Sequence, residues 1–287
     1  MLTPTQVEFY RKYGYLAVEN VLTPAQLDEA RRVVDDFVER SRAVTAHDEV
    51  FDLEPDHTPE RPHVRRLKNP VKIHPVFDGL MRSDPILDHI APLIGEAIRY
   101  QGSKLNMKAA EGGSPVEWHQ DYAFYPHTND DLLAVGVALD DCTLENGCLL
   151  VLPGSHKGPI LDHHQDGVFV GAISPSRERV DLSQAVPVEV RAGGVSIHHV
   201  RLLHGSAPNR SARPRRLLLY QYAAVDAWPL SGVPDLDAFN RDILRGQPTV
   251  EARMITLTAR IPRPQPARTG SIFEIQTQLK EAVFAGR

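Results

Sequence analysis

Between Pro24 and Arg42 the apolar residues Leu27, Ala30, Val33, Val34, Phe37 and Val38 fall three or four positions apart or side by side, which gathers them into one stripe of a helix. Its start is written in Thr23-Pro24-Ala25-Gln26, where threonine caps, proline takes the first helical position and glutamine closes a capping box. Thr3-Pro4-Thr5-Gln6 repeats that signal, and a third helical stretch over 74–95 should be broken by Pro85 and Pro92. From residue 98 the pattern becomes strand-like. It predicts strands over 98–108, 116–122, 132–139, 148–152, 186–191, 195–200, 215–224 and 252–259, with Asn146-Gly147 as a hairpin signal and Pro153-Gly154-Ser155-His156 as a tight turn. Segments 43–70, 157–185 and 226–250 read as long irregular stretches able to cover a binding cavity. A proline-rich arm over 261–267 precedes a last short helix over 273–284. The expected architecture is mainly β with flanking helices in one domain, 1–287. Its parts are a mainly helical flank and lid loop over 1–97, a β core over 98–260, and an arm and helix over 261–287.

One constellation carries chemistry. In Trp118-His119-Gln120-Asp121, positions two apart on a strand share a face, so His119 and Asp121 can point at one ion while Gln120 points away. Far downstream, His204 opens the run His204-Gly205-Ser206. Two imidazoles and one carboxylate on one side of a metal form the facial arrangement of non-haem Fe(II) oxygenases, with open positions for a co-substrate and oxygen. The same tripeptide recurs at His164-Gln165-Asp166, flanked by Asp162, His163 and Gly167 as in a polar turn. The first copy sits among Trp118, Tyr122, Phe124 and Tyr125, which favour a strand, and is the expected ligand pair. His156 and the pair His198-His199 are the other histidines of interest. Adjacent strand residues face opposite ways, so at most one of the pair can line a site.

A keto-diacid chelating iron leaves a distal carboxylate, which a guanidinium fork holds through two parallel hydrogen bonds. Arg215 is the candidate, with the Ser206 hydroxyl as a second donor. Arg213 precedes a proline and Arg216 should face away from Arg215, so both are weaker choices.

The stretch LNMKAAEGGSPVEWHQDYAFYPHTNDDLLAVGVALDDCTLENGCLLVLPGSH from Leu105 to His156, with GGVSIHHVRLLHGSAPNRSARPRR from Gly193 to Arg216, resembles the phytanoyl-CoA dioxygenase family. The resemblance implies a double-stranded β-helix, or jelly-roll, core of the cupin type. It also implies Fe(II), 2-oxoglutarate and oxygen, with His119, Asp121 and His204 as the metal triad, Arg215 and Ser206 on the distal carboxylate, and Lys108 near the co-substrate. Gly193-Gly194 stands where the family often has Gly-Asp, and Ala109-Ala110 where it often has prolines. Some relatives replace the carboxylate ligand by a small residue and bind halide there. Asp121 is present, so hydroxylation of an aliphatic carbon of a small organic molecule is expected, with release of succinate. The same oxidant also serves desaturation, epimerisation or ring formation. The reading from another class is a non-catalytic jelly-roll binding protein.

Composition agrees with a globular enzyme. The charged fraction of 24% and the hydrophobic fraction of 42% are ordinary, and a net charge of −5 gives no basic footprint for nucleic acid. Cys142 and Cys148 read as small buried hydrophobes. With no signal-peptide pattern, no long apolar run and no peroxisomal address, a cytoplasmic protein off the membrane is expected. Trp118, Tyr122, Phe124 and Tyr125 are candidates for shaping a substrate cavity. In 43–70, His47, His57, His63, Arg61, Arg65 and Arg66 concentrate donors suited to an anionic substrate, although six acidic residues share the stretch.

Overall fold

Both threonine caps form in the computed structural model, which describes every residue except 111, 267–269 and 285–287. Thr3 and Thr23 each accept the N–H three residues on, at 3.3 Å, and open helices α1 (Pro4–Tyr13) and α2 (Pro24–Arg40). A short helix α3 (Pro70–Ile73) precedes the third helical stretch, which is split into α4 (Pro75–Met81) and α5 (Asp84–Ile94). The break lies at 82–83, ahead of Pro85. Pro92 sits inside α5, in its last turn, rather than ending it.

The strands are β1 (Tyr15–Val18), β2 (Phe51–Leu53), β3 (Val64–Lys68), β4 (Ile98–Lys108), β5 (Val116–His119), β6 (Leu132–Ala138) and β7 (Leu149–Val151), then β8 (His164–Gln165), β9 (Val168–Phe169), β10 (Val186–Val188), β11 (Val195–His199), β12 (His204–Ser206), β13 (Arg215–Ala224) and β14 (Ile243–Arg245). The major sheet runs β1-β11-β6-β13-β4-β3-β2, with β14 also on β4, and faces a minor sheet ordered β10-β7-β12-β5. Alternation along the central strands assigns each layer. In β4, Leu105 and Met107 join the core under the helices, while Lys104 and Asn106 face the minor sheet. In β13, Leu218, Tyr220 and Tyr222 point to the helices, and Arg215, Leu217 and Leu219 point inward. The Tyr220 and Tyr222 hydroxyls donate to the carbonyls of Phe77 and Met81 on α4 at 2.8 and 2.9 Å, so the buried phenols pin the helical layer to the sheet. Leu218 is fully buried in this layer, and Leu218→Ala is expected to cost about 2–5 kcal/mol of stability, read as a lower urea midpoint.

Several expectations need correction. Within the mainly helical flank over 1–97, β1, β2 and β3 join the major sheet. Segment 43–70 thus carries two sheet-edge strands, β2 and β3, between irregular stretches, and 157–185 and 226–250 contain β8, β9, β14 and the short helices α6 (Pro175–Glu178) and α7 (Leu236–Arg241). Residues 252–259 form no strand. They hang on isolated bonds, Arg253 N–H to Asp226 and Ile255 N–H to Thr128, while Leu257 and Ala259 pack beside Tyr122 and Leu132. One packed face produced their alternation. The last helix is only α8 (Ile272–Gln276), because the Val283 and Phe284 N–H groups bond the buried Glu117 carboxylate instead of continuing the helix. Among the described residues, no helix is long and apolar enough to cross a membrane.

Candidate active site

β5 and β12 are paired so that His119 lies opposite His204, and the two rings come within 4.1 Å of each other, centre to centre. β5 ends at His119. Asp121 stands not on the strand but in a single turn of 3-10 helix over 121–123, which folds its carboxylate back until Oδ1 is 3.6 Å from His119 Nε2. The ligand atoms of His119, Asp121 and His204 all lie within 4.8 Å of one another, and all three residues are buried.

The imidazoles are held in a defined tautomer. His119 Nδ1 meets the Glu117 carbonyl and His204 Nδ1 meets the Leu202 carbonyl, each at 2.8 Å. A carbonyl only accepts, so Nδ1 carries the hydrogen and the Nε2 lone pair of each ring faces the gap. Burial, followed by the proximity of His119 and His198, holds the His204 pKa well below the usual histidine value, so the ring is neutral. Burial pushes the Asp121 carboxyl up, but the Lys104 charge and the adjacent His119 and His198 rings hold it well below the usual carboxylate range. Two imidazole nitrogens and one ionised carboxylate suit a divalent first-row metal.

Arg215 lies at one end of the adjoining cavity, only 3% exposed. Its Nη2 donates to the Gly147 carbonyl at 3.1 Å, while Nε and Nη1 have no partner. Gly147 adopts φ +76°, and a Cβ there would stand 2.3 Å from the Ala207 carbonyl, so this close turn requires glycine. Two unsatisfied buried donors on a guanidinium match the oxygens of a carboxylate. Ser206 lines the same end.

Other candidates separate. Arg213 is exposed, and Arg216 is taken by Asp140 and Asp35. His164 bonds Asp162 and the Ile261 carbonyl, and Asp166 is exposed beside Lys280, so the second tripeptide holds no metal group. Lys108 is buried, and its ammonium donates to the carbonyls of Ser206 and Ala207. It buttresses β12 and does not line the cavity. Trp118 and Tyr122 also point elsewhere. Trp118 stacks on Phe284, and Tyr122 packs on Leu132 and Val200 while donating to the His127 carbonyl at 2.5 Å. Phe124 sets its edge against the His119 ring at 5.6 Å. The Tyr125 hydroxyl accepts from Gln221 at 2.7 Å; burial first, then the facing Asp121 charge, raises its pKa well above the usual phenol value. His156 bonds the Arg11 carbonyl in a loop. Of His198 and His199 only His198 lines the cavity, 3.5 Å from Asp121. Cys142 and Cys148 are buried free thiols.

The sequence did not single out Lys104 or Asn106, nor the apolar wall of Val116, Leu149, Leu217, Leu219 and Ile272, and it left open which of His198 and His199 lines the site. Lys104 and Asn106 did carry a signal, as polar positions alternating with Leu105 and Met107 in a strand that is otherwise apolar there.

The sequence profile described as Phytanoyl-CoA dioxygenase (PhyH) matches residues 10–217. The chain is 37% identical to a probable alpha-ketoglutarate-dependent hypophosphite dioxygenase of Stutzerimonas stutzeri, across 99% of this chain and 100% of that one. It is 27% identical to a methylphosphonate hydroxylase of Gimesia maris, over 78% and 82% of the two chains. The iron-bound crystal structure of EctD from S. alaskensis shares the fold at a TM-score of 0.67 and 21% identity, covering 90% of this chain and 89% of that one. The facing sheets are thus a double-stranded β-helix, and the chain belongs to the phytanoyl-CoA dioxygenase family as an Fe(II)- and 2-oxoglutarate-dependent dioxygenase.

Proposed function

We propose that this dioxygenase hydroxylates a small phosphorus oxyanion, with hypophosphite as first candidate and methylphosphonate as second. The observation that carries the reading is the match of the cavity lining, in charge, to such a substrate. The cavity encloses about 50 Å³ and is lined by two cations, Lys104 and Arg215, against one carboxylate, Asp121. The relative from Stutzerimonas stutzeri, alike over its whole length, supports the same substrate class. Methylphosphonate retains the expected attack on an aliphatic carbon, while hypophosphite offers a P–H bond.

In this reading His119 and His204 present Nε2, and Asp121 its carboxylate, to Fe(II). Arg215, through Nε and Nη1, and Ser206 hold the distal carboxylate of 2-oxoglutarate. Iron held there would activate oxygen, which supplies the oxidising equivalents: two electrons would come from 2-oxoglutarate, released as succinate and carbon dioxide, and two from the substrate. The protein's part is orientation. Glu117 and Leu202 fix the imidazole tautomers, Gln221 and Tyr125 sit behind Asp121, and the apolar wall of Leu149, Leu217, Leu219 and Ile272 keeps water from the reacting atoms.

Hypophosphite or methylphosphonate added to enzyme with Fe(II) and 2-oxoglutarate is expected to stimulate succinate formation. Phosphorus NMR should then reveal phosphite or hydroxymethylphosphonate in equal amount. Stimulation by an amino acid or another organic substrate, with none by either phosphorus compound, would overturn the substrate class.

A further inference from the structure

β4 turns two polar side chains into the cavity, Lys104 and Asn106, at the levels of Leu219 and Leu217 on the neighbouring strand β13. Lys104 has neither a hydrogen-bond nor an ion-pair partner among the described residues, although the Asp121 charge acts on it. An ammonium serving only to neutralise Asp121 would close that pair. This one stands off from it, facing the cavity. Asn106 is held from behind by Arg66 of β3, whose Nε donates to Oδ1 at 3.0 Å and whose buried Nη2 has no partner. A guanidinium has no acceptor, so the oxygen of Asn106 must face Arg66, and its NH₂ group is left to donate on the other side. Arg66 in turn lies on the Phe273 ring, 5.0 Å from its centre, beside the α8 residue Ile272 that closes the cavity.

These donors are distinct from the co-substrate clamp. Arg215 pairs with Lys108, and Lys104 pairs with Leu219 four residues further along β13, about 13 Å away at strand spacing. One small anion cannot bridge both. The charges also leave room for a second anion. Asp121 offsets one of the two lining cations, and a divalent metal offsets the 2-oxoglutarate dianion, so one positive charge remains uncompensated. A buried charge without a counter-ion is costly, and a monoanionic substrate removes the cost.

We propose that Lys104, together with the Asn106 amide that Arg66 orients, binds the oxyanion of the primary substrate beside the triad. This rests on the phosphorus-oxyanion reading above, and it makes Lys104 and Asn106 the residues that select a small anion over a neutral substrate.

The test is made on holoenzyme with Fe(II) and 2-oxoglutarate under anaerobic conditions, by titrating hypophosphite and, separately, methylphosphonate. The readout is the change each causes in the iron-to-2-oxoglutarate charge-transfer band. Lys104→Met should weaken binding of the responding anion by at least about 30-fold, as for loss of one partner of a buried charge pair. Its 2-oxoglutarate affinity should stay within about twofold of wild type, as for independent sites. Lys104→Arg should recover part of the anion affinity, and in turnover the Lys104→Met defect should appear chiefly in KM. If Lys104→Met yields no band, Asn106→Asp decides. It keeps the contact with Arg66 but replaces a donor by a negative charge, so anion binding should be lost while the band persists.

Undiminished anion binding in Lys104→Met, or in Asn106→Asp where that variant decides, overturns the assignment. An equal fall in 2-oxoglutarate affinity also overturns it, because Lys104 would then serve the co-substrate. A wild-type band that responds to neither phosphorus anion removes the substrate reading itself, and the assignment falls with it. Response in wild type with no loss in the variants sinks the assignment alone.

Discussion

Alanine at His119, Asp121 or His204 abolishes substrate-dependent succinate formation and weakens Fe(II) binding, whereas alanine at His164 or Asp166 leaves both in place. The contrast follows from geometry. The first three residues converge with ligand atoms within 4.8 Å, on imidazoles whose Nε2 is freed by a carbonyl on Nδ1. His164 already spends both ring nitrogens, on Asp162 and on the Ile261 carbonyl. Losing a direct ligand should cost more than the roughly 10- to 100-fold in metal affinity typical of losing a residue behind a ligand. Anaerobic iron titration measures the loss, and circular dichroism separates it from unfolding. Retention of iron by all three variants would remove the triad from the metal. Asp121→Gly is the informative intermediate, expected to keep some iron but no hydroxylation.

Arg215→Ala raises the 2-oxoglutarate requirement far more than it disturbs iron. The guanidinium is 3% exposed with two N–H groups unpartnered, so it has no solvent to compete for the carboxylate it would hold. Removing one partner of such a buried pair costs about 2–5 kcal/mol, at least about 30-fold in affinity. Titration of the charge-transfer band of the anaerobic iron complex reads this directly. Arg213→Ala, which removes an exposed side chain, should leave the titration unchanged. Equal 2-oxoglutarate affinity in wild type and Arg215→Ala would take Arg215 out of the site.

What the sequence by itself determined is local or chemically singular. The Thr-Pro-x-Gln caps, the α2 stripe and the long alternations of β4, β6 and β13 depend on residues a few positions apart, whose periodicity is set by the backbone. That Asp121, His204 and Arg215 would share one cavity was legible because few residue types suit iron or a carboxylate and their motif context is dense. His119 and Asp121 were paired for the wrong local reason, since a 3-10 turn rather than a shared strand face aims the carboxylate.

Only the tertiary structure decided which side chains reach the cavity. β12 is three residues long, too short for alternation to register, yet it carries His204 and Ser206. β2 and β3 gain strand character from pairing across the sheet edge, which converts an apparent lid loop into the support for Arg66 and Asn106. Lys104 and Lys108 share one face of β4, yet Lys104 lines the cavity beside the triad while Lys108 donates to the Ser206 carbonyl of β12. Trp118 turns to Phe284. Which face of a strand becomes cavity and which becomes core is a property of the sheet packed against it. That partner is brought there by contacts far apart in the chain, which no local pattern encodes.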